Sequence, residues 1–441
     1  MNKRIRYLLL ALLALSLVSS SLVSPALGQA FTATRIKVLH LGQPTLGLWV
    51  NASGQVVGSR DTVYEHSFRC CRAFFWSRST GTIDLGSLGG GFSMAFAIND
   101  NGQATGWSFT QDQQSHAYLW TLGGGMQDLG VPVPSTMDRG RRINSSGQVA
   151  GTYVGANGYT QHAFFWTRFT GMQDLGTLPG GYSSEALAAN DSGQVVGDST
   201  ATGGYYSGPY AFRWTEAGGM EALLGNDTTS VAFDINNAGQ IVGVFEHADG
   251  TLHGFLWSQD QGMQDLGSVG GCCRETGPFA INDKGQVIGT QNYLRPFLWT
   301  PEAGMLDLNS LVSKNLQLTN AWSINNSGQI AVSGGVLSYS VYLLTPKMAS
   351  TLASSANPSP AGQPVTFSAT VNSVTGPPPD GENVTFTDGT AVLAVVSLVQ
   401  GTASFTTSSL KAGKHRLRAT YAGDATYASS RSAILKQIVS P

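Results

Sequence analysis

The stretch Ile98-Asn99-Asp100-Asn101-Gly102-Gln103 decides the fold, because its Asn-x-x-Gly-Gln core is written seven times along the chain. The copies run Asn51 to Gln55, Asn99 to Gln103, Asn144 to Gln148, Asn190 to Gln194, Asn236 to Gln240, Asn282 to Gln286 and Asn325 to Gln329. Asn at the first position of a type I turn bonds back to the chain, and Gly at the fourth takes a positive φ. A Gly there also makes the bulge that joins two antiparallel strands. The residues before each Asn, such as Ala95 to Ile98, and those after each Gly, such as Gln194 to Val196, therefore read as a strand pair.

Two further anchors recur with this turn. An aromatic-x-Trp segment ends at Trp76, Trp120, Trp166, Trp214, Trp257 and Trp299, with Leu344 in the seventh copy. An x-x-Asp-Leu-Gly segment recurs at Leu85, Leu129, Leu175, Leu266 and Leu308, where Asn309 replaces the Gly, and is degenerate at Leu223. Ala163-Phe164-Phe165-Trp166 is apolar on both strand faces, as a strand buried on both sides should be. Met172 to Leu175 mixes apolar and polar residues, as an outer strand would. Four short strands in a unit repeating every 42 to 48 residues is the period of a propeller blade. Val38-Leu39-His40-Leu41-Gly42 matches the outer strand and Val341 to Leu344 the third strand, so pairing the two would close a ring. The expected fold is all-β: a seven-bladed β-propeller over residues 34–345, closed by its terminal strands.

The composition agrees with this pattern. The chain has 441 residues, 55 of them Gly, and only 12% are charged, against about 7% Gly and 25% charged in ordinary domains. Repeated Gly turns, and blades packed on both faces, account for both departures. The formal net charge is −2, which lacks the basic density of a nucleic-acid binder. At the start, Lys3, Arg4 and Arg6 precede an apolar run from Tyr7 to Val18 and then small residues. This is the pattern of a secretory signal over residues 1–30, cleaved between residues 28 and 30. No second long apolar stretch follows, so no transmembrane segment is expected after signal removal. The protein reads as a secreted or cell-envelope monomer.

After Pro346 the anchors vanish. Val365 to Val371, Asn383 to Thr387, Ala403 to Thr406 and His415 to Tyr421 alternate as strands, separated by Gly-containing turns. This spacing predicts an immunoglobulin-like β-sandwich over residues 350–439, without cysteines.

The strings His116-Ala117-Tyr118, His162-Ala163-Phe164, Asp84 to Gly90 and Ile98 to Gln103 resemble the bacterial HAF family of extracellular repeats. The resemblance covers roughly residues 36–345 and implies a secreted repeat protein; it brings no catalytic residues. The seventh copy departs from the pattern, with Tyr342 and Leu344 for Phe and Trp and Ala331-Val332 for the usual Val-Gly. Asn357-Pro358-Ser359, Gly362 to Phe367 and Tyr421 to Tyr427 resemble bacterial Ig-like repeats of surface proteins.

Candidate chemistry is sparse. The chain has no metalloprotease, esterase, phosphate-loop or dinucleotide signature, and no catalytic residue, metal site or cofactor is expected. Cys70-Cys71 and Cys272-Cys273 are two adjacent pairs. The blade pattern places the first in a loop between second and third strands and the second in the loop entering the sixth blade, on one ring face. Export favours oxidation, with cross-pair disulfides bracing the ring or vicinal bonds as the two readings. A zinc site of all four fits the usual ligand spacing poorly. His116, His162 and His253 share one repeat position, as do Asp84, Asp128, Asp174, Asp265 and Asp307, and both sets read as strand-edge structural residues. The segments entering each blade vary between copies and hold Asp138, Arg139, Arg141, Arg142, Glu185, Asp227, Arg274, Glu275 and Lys314. Taken as channel-rim loops, these are the expected binding residues. The function expected is that of a secreted, non-enzymatic surface or matrix protein. Its propeller would bind an extracellular glycan or envelope protein, with the Ig-like domain as spacer or adhesion module. An exported propeller hydrolase or lyase acting on polysaccharide, and a purely structural envelope component, are the alternatives.

Overall fold

The computed structural model describes residues 29–37, 48–63, 69–130, 135–155, 157–158, 160–202, 208–225, 228–268, 277–292, 294–335, 340–424 and 426–441. The fold is all-β and propeller-like. Each copy of the repeat forms one antiparallel sheet whose strands follow chain order, as in Ser184–Ala189, Val195–Ser199, Tyr210–Thr215 and Gly219–Ala222. Two of the sheets share an edge through one parallel bridge, Met137 to Ser115. No helix among the described residues is long and apolar enough to cross a membrane.

The last sheet is composite. Leu318–Ile324, Ile330–Gly334 and Ser340–Pro346 take their outer neighbour from the other end of the chain, the strand Phe31–Ile36. Its register runs Phe31 opposite Pro346 to Ile36 opposite Val341. Sequence reading placed this pairing at Val38 to Gly42, which lie outside the described residues. Phe31-Thr-Ala-Thr-Arg-Ile36 carries no Asp-Leu-Gly anchor and so does not show the repeat pattern; its two buried ends, Phe31 and Ile36, do the packing.

Sheets pack face to face through the third strands. Ala163, Phe164, Phe165 and Trp166 are all buried. Phe165 packs against Trp214 of the next sheet with ring centroids 6.0 Å apart, and Phe75 against Trp120 at 5.6 Å. The outer strands hold the recurrent acids. Asp128, Asp174 and Asp265 each accept from a third-strand histidine and from a Gly N–H two residues on. These histidines and aspartates therefore tie strand to strand within a sheet.

The inner strands share one irregularity. In the second to seventh copies each carries a bulge three residues before its Asn, seen between Ala95 and Ala97, Gly140 and Arg142, Ala186 and Ala188, Ala232 and Asp234, Pro278 and Ala280, and Ala321 and Ser323. The bulge pushes a carbonyl at the second strand, which explains the Val-Gly of the repeat: a Cβ on Gly197 would lie 1.8 Å from the Glu185 carbonyl oxygen.

The C-terminal module is a sandwich of two sheets. One holds Ala349–Ser354, Val365–Asn372 and Thr402–Thr407; the other is built on Asn383–Asp388, Gly413–Tyr421 and Leu435–Ser440. Phe367, Phe386, Leu417 and Tyr421 fill its core. On its second sheet, His415 Nδ1 lies 2.6 Å from Asp388 and Nε2 lies 2.8 Å from the Lys411 carbonyl. Acceptors at both nitrogens favour the protonated imidazole, and the Asp388 contact first and the Lys411 carbonyl next hold His415 above its ordinary value.

Two outcomes follow. Gly197→Ala forces Cβ into a carbonyl and is expected to cost at least about 2 kcal/mol, read as a lowered denaturation midpoint; an unchanged midpoint would show that the bulge relaxes. For His415, a raised folded pKa means that the pairing stabilises fully below about pH 6.5 and is lost as pH rises through the folded value. Histidine-selective NMR should show it titrating above the ordinary range, and Asp388→Asn should return it there.

Candidate functional site

The repeat turns converge on the propeller axis. In each, the Asn Oδ1 accepts from the Gln N–H four residues on, as Asn144 does from Gln148 at 2.9 Å. The Asn Nδ2 donates to that Gln's Oε1, 2.7 Å in the same turn. Its second hydrogen goes to the next copy. Asn51 donates to the Asn99 carbonyl (3.0 Å), Asn99 to Asn144 (2.9 Å), Asn144 to Asn190 (3.0 Å) and Asn190 to Asn236 (3.2 Å). Asn236 then donates to Asn282 (3.0 Å), Asn282 to Asn325 (3.0 Å), and Asn325 back to the Asn51 carbonyl (2.8 Å).

Outside this belt lies a second. The residues that follow each Asn are Ala52, Asp100, Ser145, Asp191, Asn237, Asp283 and Asn326. Backbone N–H groups donate around them: Ala52 to Asp100 (2.7 Å), Ser145 to Asp191 (2.7 Å), Asp191 to Asn237 (3.0 Å), Asn237 to Asp283 (2.8 Å) and Asp283 to Asn326 (2.9 Å). Asn237 Nδ2 also donates to both Asp191 (2.9 Å) and Asp283 (3.2 Å). All but Ala52 are exposed. The mouth thus presents carboxylates and amides whose orientations are set by the backbone.

Beneath the two belts lies a cavity of about 180 Å³ lined by Trp49, Arg142 and Asp234. Arg142 Nη2 is 2.6 Å from Asp234 Oδ1, and both side chains are 9% exposed. The guanidinium carbon sits 3.4 Å from the Trp49 ring centroid. Asp234 also accepts from the Ile281 N–H at 3.0 Å. Burial pushes the Asp234 carboxyl up from its ordinary value, and Arg142 opposes that shift. Trp49, Arg142 and Asp234 come from three different inner strands, so the trio lies across the channel.

The expected binding residues fall elsewhere than expected. Asp138, Arg139, Arg141 and Arg142 belong to the inner strand Ser135–Ile143, and Glu185 to Ser184–Ala189, so none of them is in a rim loop. The inner strand begins earlier than the turn motif shows, because the bulge adds a residue and lengthens it. Asp138 is fully buried and stands six residues before its Asn, where Ser93 and Ser184 stand in other copies. Those serines accept from Ala73 and Ala163 of the preceding sheets. Arg141 lies over Phe96, 5.3 Å from its ring centroid. Lys314 is exposed before Leu318–Ile324. Asp227, Arg274 and Glu275 lie outside the described residues, as do Cys272 and Cys273. Cys70 and Cys71 open the third strand Arg69–Ser77, opposite Thr62 and Asp61. The hairpin is longer than the other copies suggest, so they are not in a loop. The mouth residues were missed because they sit inside the repeat motif; the available signal was that the position after Asn is polar in every copy but the first.

The C-terminal module meets this turn face. Gln286 Nε2 donates to the Thr375 carbonyl at 2.9 Å, and Thr375 lies against Gly328, where a Cβ would meet its Oγ1 at 2.2 Å. Residues 352–440 match the family model of the bacterial Ig-like domain, group 3. This module is a bacterial Ig-like domain. No curated protein matches the chain. Among solved structures the chain is similar to oligogalacturonate lyase from Vibrio parahaemolyticus, at 8% identity and a TM-score of 0.47 over 71% of this chain and 93% of that one. It is also similar to the Dos1 propeller, at 9% and 0.40 over 72% and 96%, and to puromycin hydrolase, at 12% and 0.47 over 75% and 59%. At this level the likeness is one of general fold and carries no activity across.

Removing one partner of the buried pair should be costly. Asp234→Ala strands the Arg142 charge and is expected to cost about 3–5 kcal/mol, whereas Arg142→Met with Asp234→Leu should restore near-native stability. Denaturant melts of the single and double variants measure this; strictly additive losses would show that the pair is not coupled.

Proposed function

We propose that the chain is an exported, non-enzymatic binding protein of the bacterial envelope or extracellular space. In this reading it is a HAF-type, seven-bladed propeller over about residues 34–345, closed by the pairing of Phe31–Ile36 with Ser340–Pro346. The Asn side-chain bonds that return from Asn325 to Asn51 support the blade count and the closure. The signal-like start and the bacterial Ig-like domain support the location.

The observation that carries the binding reading is the mouth. Asp100, Asp191, Asn237, Asp283 and Asn326 are exposed yet held by backbone N–H groups. Pre-set acceptors and amides lose little freedom on binding, and they match the hydroxyl groups of a glycan. The channel below is crossed by Trp49, Arg142 and Asp234, which favours a ligand on the face over one threaded along the axis. The acid in the channel is already paired, which weighs against a hydrolase or lyase working there.

The mature protein should be retained on extracellular polysaccharide or envelope fractions, measured by glycan array and co-sedimentation. Asn237→Ala should weaken retention at least about tenfold, a loss of about 1.4 kcal/mol. No retention on any fraction would sink the reading, and new reducing or unsaturated sugar ends would favour the enzyme alternative.

A further inference from the structure

The hairpin of the fifth repeat carries a feature that its counterparts lack. Ile241–Glu246 and Leu252–Ser258 are joined by a turn in which His247 N–H donates to the Thr251 carbonyl (2.9 Å) and Gly250 N–H to the His247 carbonyl (2.8 Å). The same turn closes the second repeat, with Thr110 at the first position, and a turn one residue longer closes the third from Gly155. His116 and His162 pair with Asp128 and Asp174 there just as His253 pairs with Asp265. Only the fifth hairpin adds a second imidazole among these three.

The added ring lies flat against the first. The His247 and His253 rings are parallel within 5°, with centroids 4.3 Å apart, and Phe245 meets both edge-on. Asp249 Oδ1 lies 3.1 Å from His247 Nδ1. Candidate ligand atoms on His247, Asp249 and His253 all lie within 4.8 Å of one another.

We propose that His247, Asp249 and His253 form a binding site for a divalent transition-metal ion of the kind that prefers imidazole, such as zinc. The donor set is two nitrogens and one carboxylate oxygen, which suits zinc, copper or nickel and not calcium or magnesium. His253 Nδ1 is 2.8 Å from Asp265 Oδ2. A carboxylate at Nδ1 fixes the tautomer that leaves Nε2 with its lone pair, the arrangement that orients metal-binding histidines. His253 is thus the fixed ligand. Zinc ligands at about 2.0–2.1 Å sit closer together than these atoms, so the set must contract. His247 is free to supply that movement, since its side chain is 40% exposed at the turn. Three protein ligands leave a coordination position open to water or to a group on a partner. The repeat pattern hides this site, because His247 and Asp249 lie between its anchors.

The test is zinc titration of the mature full-length protein, followed by calorimetry and by histidine-selective NMR. One equivalent should bind, shifting the His247 and His253 ring resonances and leaving those of His116 and His162 in place. His247→Thr installs the residue that the second repeat carries at this position, so the hairpin should fold unchanged. It should weaken zinc binding at least thirtyfold, and Asp249→Asn about tenfold. Absence of binding by the wild type overturns the proposal, as does equal binding by His247→Thr, which would place the zinc elsewhere, at the cysteines for example. A His116 resonance that shifts with the His253 resonance overturns it too.

Discussion

Everything in the propeller region hangs on one side-chain amide used to its full capacity. Each turn Asn accepts one N–H, donates one hydrogen to the Gln of its own turn and donates the other to the backbone of the next copy. Asp could not substitute, since it has no hydrogen to give, and a longer Gln would not reach its own turn in the same geometry. The bonds are buried, so each unmade one would cost the desolvation of an amide. That makes the Asn both a turn former and the joint between repeats. The Gly beside it has a second duty besides its positive φ: at Gly54, Gly102 and Gly147 the Gln side chain of the preceding copy lies where a Cβ would come closest.

The mouth and the channel are consequences of that joint. Because the Asn fixes the backbone, the next residue always faces the opening, and whatever polar group stands there is aimed by the frame. Two residues before the Asn, Trp49, Ala97, Arg142 and Asp234 line the channel in four of the copies. There Arg142 and Asp234 find each other from different sheets. Trp49 occupies the same position in the first copy and covers the guanidinium.

Repetition made the fold legible. The Asn turn, the third-strand Trp and the outer-strand Asp each appear often enough in one chain to expose the unit and its strand order, and the Ig-like module showed through its alternating strands. What stayed hidden is what occurs once. Phe31–Ile36 has no anchor, whereas Val38 to Gly42 matches the outer strand, so the sequence pattern points a few residues too late. Asp138 looked like a variable loop acid, yet it fills a position that serine holds in other copies, and only the inner strand's register reveals that. His247 gained its meaning from a ring seven residues of chain cannot bring near unless the hairpin folds back. Charged residues in a varying segment signalled difference between copies, and difference is not the same as exposure.

The pairing of Phe31–Ile36 with Ser340–Pro346 has a mechanical consequence. Phe31 stands opposite Pro346, and Lys347 N–H donates to the Ala30 carbonyl just beyond. The chain therefore enters and leaves this strand pair at the same end. Tension between the N-terminal end of this strand and the Ig-like domain would peel the strands one bond at a time, the weakest way to load a sheet. Thr375, seated against Gln286 and Gly328, changes that load path. A pull on the Ig-like domain is taken up first by its contact with the turns, and the zipper is reached only after the domain has been torn from its seat.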